Sequence, residues 1–548
     1  MMKQLLILCV GSLLSLTVGA QKKQADLLLY NGKIYTADAR FSVASAMAVK
    51  DGRVLETGSS QQLLARYEAK EKVDAGGRPV YPGFIDAHAH FFGYGLGLQN
   101  ADLVGTESWE EILQRLQAHV AKKNIRPGEW IIGRGWDQND WAVKEFPTKE
   151  RLDKLFPNNP VFLTRVDGHA AIASTKALDL AGVNTSSKVE GGDVEVKNGK
   201  LTGILVDRAT ALVASRIPEP SLQTYRTALL EAQQNCFAVG LTTVDDCGIG
   251  YEEVLFMDSL QKAGQLKMRI YAMLSDNRAN FQFALQKGRI KTPSLHVASF
   301  KVYADGALGS RGAALLHPYT DRPDWTGFLL SSQQHFDSVA NVIYKMGWQM
   351  NTHAIGDSGN RTILRIYGSY LRGKNDRRWR IEHSQVINQA DFALFGRYSI
   401  IPSVQPTHAT SDMYWAEKRL GPSRVKGAYA FRQLLSQNGW LPLGTDFPVE
   451  DISPFKTFYA AVFRMDAKGF PAGGYQMENA LTREQAIRGM TIWAAKSNFE
   501  ESEKGSLEKN KWADFIILDQ DLMKASPKQV LETNVLATYV GGSKVYGK

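Results

Sequence analysis

The chain has 548 residues, 44% hydrophobic and 22% charged, with a formal charge of +9 at neutral pH. That balance excludes a disordered or fibrous protein, and the length exceeds one ordinary domain while suiting a large barrel with added segments. The positive charge is spread without a long Lys/Arg block, which argues for a solvated surface and against a nucleic-acid interface.

Residues 1–20 carry Lys3, an apolar run and a Val18-Gly19-Ala20 ending before Gln21, the pattern of a cleaved export signal. The run is short for a membrane span, so the mature chain is expected to be exported, periplasmic or secreted, with no stable membrane insertion. Cleavage removes Cys9 and leaves Cys236 and Cys247, so no disulfide framework supports the fold. Residues 26–58 alternate apolar and polar side chains and are punctuated by Asn31-Gly32 and Asp51-Gly52, which are hairpin signals. Residues 512–519, 535–540 and 543–546 read the same way. A composite β-sandwich domain built from residues 21–80 and 500–548 is therefore expected, enclosing a catalytic body over 81–499.

Within that body eight short apolar stretches read as strands: 83–88, 241–246, 267–274, 298–305, 347–353, 378–383, 399–405 and 440–446. Helical stretches separate them, the pattern of a parallel α/β fold, and eight is the number a distorted (β/α)8 barrel of the TIM type needs. The gap between the first and second is too long for a simple connection. With its own strand signal at 160–166 and a hairpin signal at 191–203, it predicts an inserted subdomain over about 100–235 that roofs the barrel mouth. Thr482 and Gln485 have capping-box spacing ahead of an amphipathic helix.

The chemistry collects where barrel enzymes keep it, at the carboxyl ends of the strands. His88 and His90 stand two apart on the first strand, so both can face one cation. His353, His383 and Asp446 end the fifth, sixth and eighth strands, and Lys301 lies within the fourth. Each taken alone reads equally as a structural histidine, a snorkelling cation or a turn residue. Their order along eight strands points instead to a shared metal site. A lysine facing a barrel interior is costly as an ammonium; carboxylated by carbon dioxide, it becomes a carbamate able to bridge two cations.

Five motifs carry a family resemblance: Pro82-Gly-Phe-Ile-Asp-Ala-His-Ala-His90, Lys301-Val-Tyr-Ala-Asp-Gly-Ala-Leu-Gly-Ser-Arg-Gly312, Asn351-Thr-His-Ala-Ile-Gly-Asp357, Arg380-Ile-Glu-His-Ser-Gln385 and Leu443-Gly-Thr-Asp-Phe-Pro-Val449. Together they resemble the metal-dependent amidohydrolases, and more narrowly amidohydrolase family 3, the branch containing N-substituted formamide deformylase. The resemblance implies two Zn2+ ions bridged by carbamylated Lys301, with His88 and His90 on the more buried ion and His353 and His383 on the more exposed one. Asp446 would bind metal and act as the catalytic acid and base. The implied reaction is cleavage of a C–N bond in a small amide-like substrate, an N-acyl or N-formyl amine or a cyclic amide, by a metal-activated hydroxide. An esterase or lactonase on the same centre, or a non-catalytic metal-binding envelope protein, are the alternatives. Trp136 and His169 in the insert, Asp305 and Arg311 after the lysine strand, and His408 after the seventh strand are candidate substrate contacts. Asp207 stands where the resemblance leads one to expect Glu and is left out of the site. Barrels of this kind often pair, so a homodimer is compatible with the sequence.

Overall fold

The computed structural model describes residues 22–166, 168–189 and 192–547. The signal segment read at residues 1–20 lies outside them, as does part of the hairpin signal that begins at Gly191. Among the described residues no helix is long and apolar enough to cross a membrane.

The centre of the molecule is a run of parallel strands, β1 (Phe84–Ala89), β2 (Leu241–Ile249), β3 (Arg269–Ser275), β4 (Leu295–Tyr303), β5 (Gln349–Ala354), β6 (Arg380–His383) and β7 (Ile401–Ser403). They pair in chain order, and helices between them cover the outside. Phe84, Val244, Ile270, Phe300, Met350 and Ile381 join one large apolar core with those helices. Alternation leaves the interior face to polar residues such as Asp245, Lys301, Asn351 and Glu382, all fully buried. A barrel whose inside is this polar is built around chemistry as well as packing.

The eighth strand expected at 440–446 forms no regular ladder. Pro442 has no N–H to give, and the segment instead closes the barrel through single bonds: Gly444 N donates to Val404 O at 3.1 Å, Ala87 N to Leu443 O at 3.1 Å, and Asp446 N to His88 O at 2.7 Å. Gly444 is required there, because a Cβ would stand 2.5 Å from the His88 nitrogen. The seventh strand is also shorter than the expected 399–405.

Both chain ends meet beside β1. One sheet combines Lys33–Tyr35, Val43–Ala44 and Pro79–Pro82 with Phe515–Leu518, Val535–Val540 and Ser543–Tyr546; a second contains Lys23–Tyr30, Ala46–Lys50, Arg53–Gly58 and Tyr67–Asp74. Leu27, Ile34, Val49, Val80, Phe515 and Tyr539 bury a common core between them. Asp521 ties the ends further, accepting from Lys33 Nζ at 2.6 Å and from the hydroxyls of Tyr35 and Tyr81 at 3.0 Å. Burial raises the Asp521 carboxyl, but these donors outweigh it and hold the group below its ordinary value. A depressed folded value gives stability that is complete above the unfolded pKa and is lost as pH falls through the folded one. Asp521→Ala should therefore lower the unfolding free energy by about 2 kcal/mol at pH 7. Denaturant melts at pH 7 and pH 3 check this, with the difference between parent and variant shrinking at the lower pH.

A separate six-stranded sheet runs from Ala101–Asp102 through Ile131–Trp136, Val161–Arg165, Ala170–Ala173 and Lys200–Asp207 to Gly192–Lys197 at its other edge, with apolar clusters of its own. The helix Leu222–Ala238, counted with the insert in the sequence, lies elsewhere: its Leu229, Ala232, Cys236 and Phe237 belong to the barrel core.

Candidate metal centre

His88 and His90 leave the end of β1 as alternation dictates, and the side chains converge with those from β4, β5, β6 and the closing segment. Asp446 Oδ1 lies 3.1 Å from His90 Nε2 and 3.5 Å from His88 Nε2. Lys301 Nζ stands 3.1 Å from His88 Nε2. The His383 ring is 4.7 Å from that of His88 and 4.4 Å from that of His353, centroid to centroid. His383 and Asp446 reach inward by turning into the left-handed backbone region, with φ of 71° and 65°. Such conformations cost a non-glycine residue of order 1 kcal/mol and persist where the surroundings fix them. Asp86 does part of that fixing: its carboxylate accepts from the Thr445 N–H and hydroxyl and from the His88 N–H, fastening the closing segment to β1.

The electrostatics suit a cation. Burial, followed by the nearby Lys301, pushes the His88 imidazole down to about 4. Burial, Lys301 and His88 push His353 down to about 3. His383 is displaced well below its ordinary value by burial and by the two neighbouring histidines. These rings are therefore neutral, the form that offers a lone pair to a metal. Burial opposes ionisation of Asp446, yet His88, His90, His383 and His408 outweigh it and hold the carboxyl well below the usual carboxylate range.

The donor set fits a divalent ion on a further observation. His353 Nε2, His408 Nε2 and Asp446 Oδ1 are buried without a hydrogen-bond partner, a state that native proteins rarely leave uncompensated. Ligand atoms of His88, His383 and Asp446 all lie within 4.8 Å of one another, close enough to share one ion. Nitrogen and carboxylate donors of this kind suit zinc and similar ions.

The five residues assigned to substrate divide. His408 belongs with the centre, its Nε2 3.6 Å from Asp446 Oδ2 and its ring stacked 5.8 Å from that of His383. Trp136 does not face ligand: it is wholly buried in the insert core, and its Nε1 donates to Leu163 O. Trp136→Ala should cost about 4 kcal/mol of stability with metal content per folded molecule unchanged, as thermal melts and elemental analysis would show. Asp305 is likewise consumed, accepting from the N–H groups of Ala314, Ile355 and Gly356, although its Oδ1 approaches His353 Nε2 at 3.8 Å. It fastens the loop after β4 to the end of β5. Arg311 pairs with Asp321 at 2.9 Å, and that carboxylate also meets Arg419. His169 pairs with Asp207 at 2.8 Å on an exposed part of the insert. Glu382, Arg380 and Asp245, to which the sequence reading gives no role, form a buried ionic row beneath His88. Their signal was charged residues at inward positions of otherwise apolar strands, the reasoning applied above to Lys301 alone.

A parallel barrel with buried neutral histidines and an ionised aspartate at its carboxyl end defines the metal-dependent hydrolase class. The sequence profile of the amidohydrolase family matches residues 71–546, and the chain belongs to that family. It is a hydrolase that uses a divalent metal ion. Protein LONG AFTER FAR-RED 3 of Arabidopsis thaliana is 34% identical, over 95% of this chain and 92% of its own length. N-substituted formamide deformylase of Arthrobacter pascens is 27% identical over 94% and 97%. The crystal structure of an uncharacterized metal-dependent hydrolase from Pyrococcus horikoshii superposes with a TM-score of 0.77 at 28% identity, covering 91% of this chain and 99% of that one.

Proposed function

We propose that the protein cleaves a C–N bond in a small amide-like substrate, an N-acyl or N-formyl amine or a cyclic amide. The observation that carries the proposal is Asp446, an ionised carboxylate with one oxygen 3.1 Å from His90 and the other 3.6 Å from His408. His88, His90, His353, His383 and Lys301 would hold two divalent ions, zinc in the first instance, with Lys301 carboxylated to bridge them. When bound, such ions bring water toward ionisation near neutral pH and polarise a carbonyl. The chain's own part is then proton traffic and placement. Asp446 accepts the proton of the attacking water and returns it to the departing nitrogen, which an amine leaving group requires and an alkoxide needs less. Likeness over nearly full length to an N-substituted formamide deformylase supports the same reaction class. The leader read in residues 1–20 would put this activity outside the cytoplasm.

The test is a hydrolysis screen of metal-replete enzyme against formamides, N-acyl amines, cyclic amides, carbamates, esters and lactones. Amine release that chelation abolishes and Zn2+ restores is the expected result. Turnover confined to esters and lactones would remove the C–N assignment.

A further inference from the structure

We propose that Glu382 is the positioning residue that fixes His88 with its Nδ1 as donor and its Nε2 turned to the metal. The inference rests on the metal reading of the centre and is independent of the bond that is cleaved.

Glu382 directly precedes His383 on β6. Strict alternation would send one of the two side chains out of the barrel. The left-handed turn at His383 lifts that constraint, so Glu382 occupies the interior beneath the centre while the histidine joins its rim. Glu382 Oε2 lies 2.5 Å from His88 Nδ1, and both side chains are completely buried. A carboxylate there accepts a hydrogen bond, so Nδ1 carries the hydrogen and Nε2 keeps a free lone pair. Nε2 is the atom that faces Lys301 and Asp446.

The carboxylate is itself held. Arg380 Nε lies 2.7 Å from Glu382 Oε1. The same guanidinium meets Asp245 Oδ2 at 2.9 Å and Ser403 Oγ at 3.0 Å, and it also donates to the Ala87 carbonyl. Asp245 accepts in turn from Asn498 at 2.6 Å. Four strands of the barrel, β1, β2, β6 and β7, thus converge on one guanidinium, which braces the Glu382 carboxylate against His88. A carboxylate hydrogen-bonded to a metal-binding imidazole orients the ring and raises its basicity, and loss of such a partner lowers metal affinity 10–100-fold.

A purely structural pair with Arg380 would predict something else: lower stability, with metal affinity changed no more than by any other cut in the same row. The experiment compares Glu382→Gln, Glu382→Asp and Asp245→Asn in the full-length protein. Zn2+ affinity is measured by competition with a chromophoric chelator, the Co2+ form by its visible spectrum, and the metal-free form by thermal melting. Expected are a 10–100-fold loss of Zn2+ affinity and an altered Co2+ spectrum in Glu382→Gln, partial recovery in Glu382→Asp, and less than threefold loss in Asp245→Asn despite its lower melting temperature. Parent-like affinity in Glu382→Gln, or equal losses in Glu382→Gln and Asp245→Asn, would overturn the proposal. Should Glu382→Gln fail to fold, Glu382→Asp decides: unchanged affinity and spectrum count against the role, a loss for it.

Discussion

Asp446→Asn is expected to lower kcat by about 10³-fold, within the range that a lost general acid and base produces, with metal content unchanged. The amide oxygen of asparagine can still approach a cation, but it cannot take a proton from water and hand it on. His90 Nε2 and His408 Nε2 flank the carboxylate at 3.1 and 3.6 Å, so the activity that remains in the variant reports what those two rings can supply in its place. Steady-state kinetics with elemental analysis of the same preparations separate a proton-transfer defect from a binding defect. Wild-type turnover in the variant would remove Asp446 from the reaction.

Lys301→Ala should act through the metal itself. Lys301 is wholly buried on β4 with its Nζ against His88 Nε2. Left as an ammonium it would compete with a cation for that lone pair; carboxylated, it would attract one. The two states give opposite outcomes. If the lysine bridges metals as a carbamate, Lys301→Ala loses metal affinity by about 100-fold or more and with it activity, and short-chain carboxylic acids added to the variant restore part of both. If it stays an ammonium, the alanine variant binds metal as well as the parent and added acids do nothing.

How far the sequence leads can be seen residue by residue. His88 and His90 were legible because alternation on a strand is a strong local rule, and the structure brings both to Asp446. The carboxyl-end placement of His353, His383 and Asp446 followed from counting strands, although only seven of the eight form and the last segment is held by isolated bonds around Pro442. The left-handed turns at His383 and Asp446 were not legible, since neither residue type announces one. Trp136 was misread because a tryptophan in a glycine-rich motif looks the same whether it faces ligand or core; only its burial and its bond to Leu163 decide. Asp305 was misread for a related reason: a carboxylate after a catalytic strand can satisfy backbone N–H groups as readily as it can bind substrate. Glu382 and Arg380 stand in a motif that carries the resemblance, but their role was not legible because their partners, His88 and Asp245, are remote in the chain, and no periodicity records a contact between strands.

The meeting of the two chain ends has a consequence for how the molecule is made. Strand Pro79–Pro82 runs straight into β1, and it pairs on one side with Lys33–Tyr35 and on the other with Phe515–Leu518. During synthesis the first histidine pair leaves the ribosome more than four hundred residues before the strand that flanks its anchor. Contacts of such separation form slowly, because loop closure must come before they reward it. The strand that leads into β1 is therefore flanked on both sides only once residues 515–518 have been made, and a chain lacking them would leave one edge of Pro79–Pro82 unpaired.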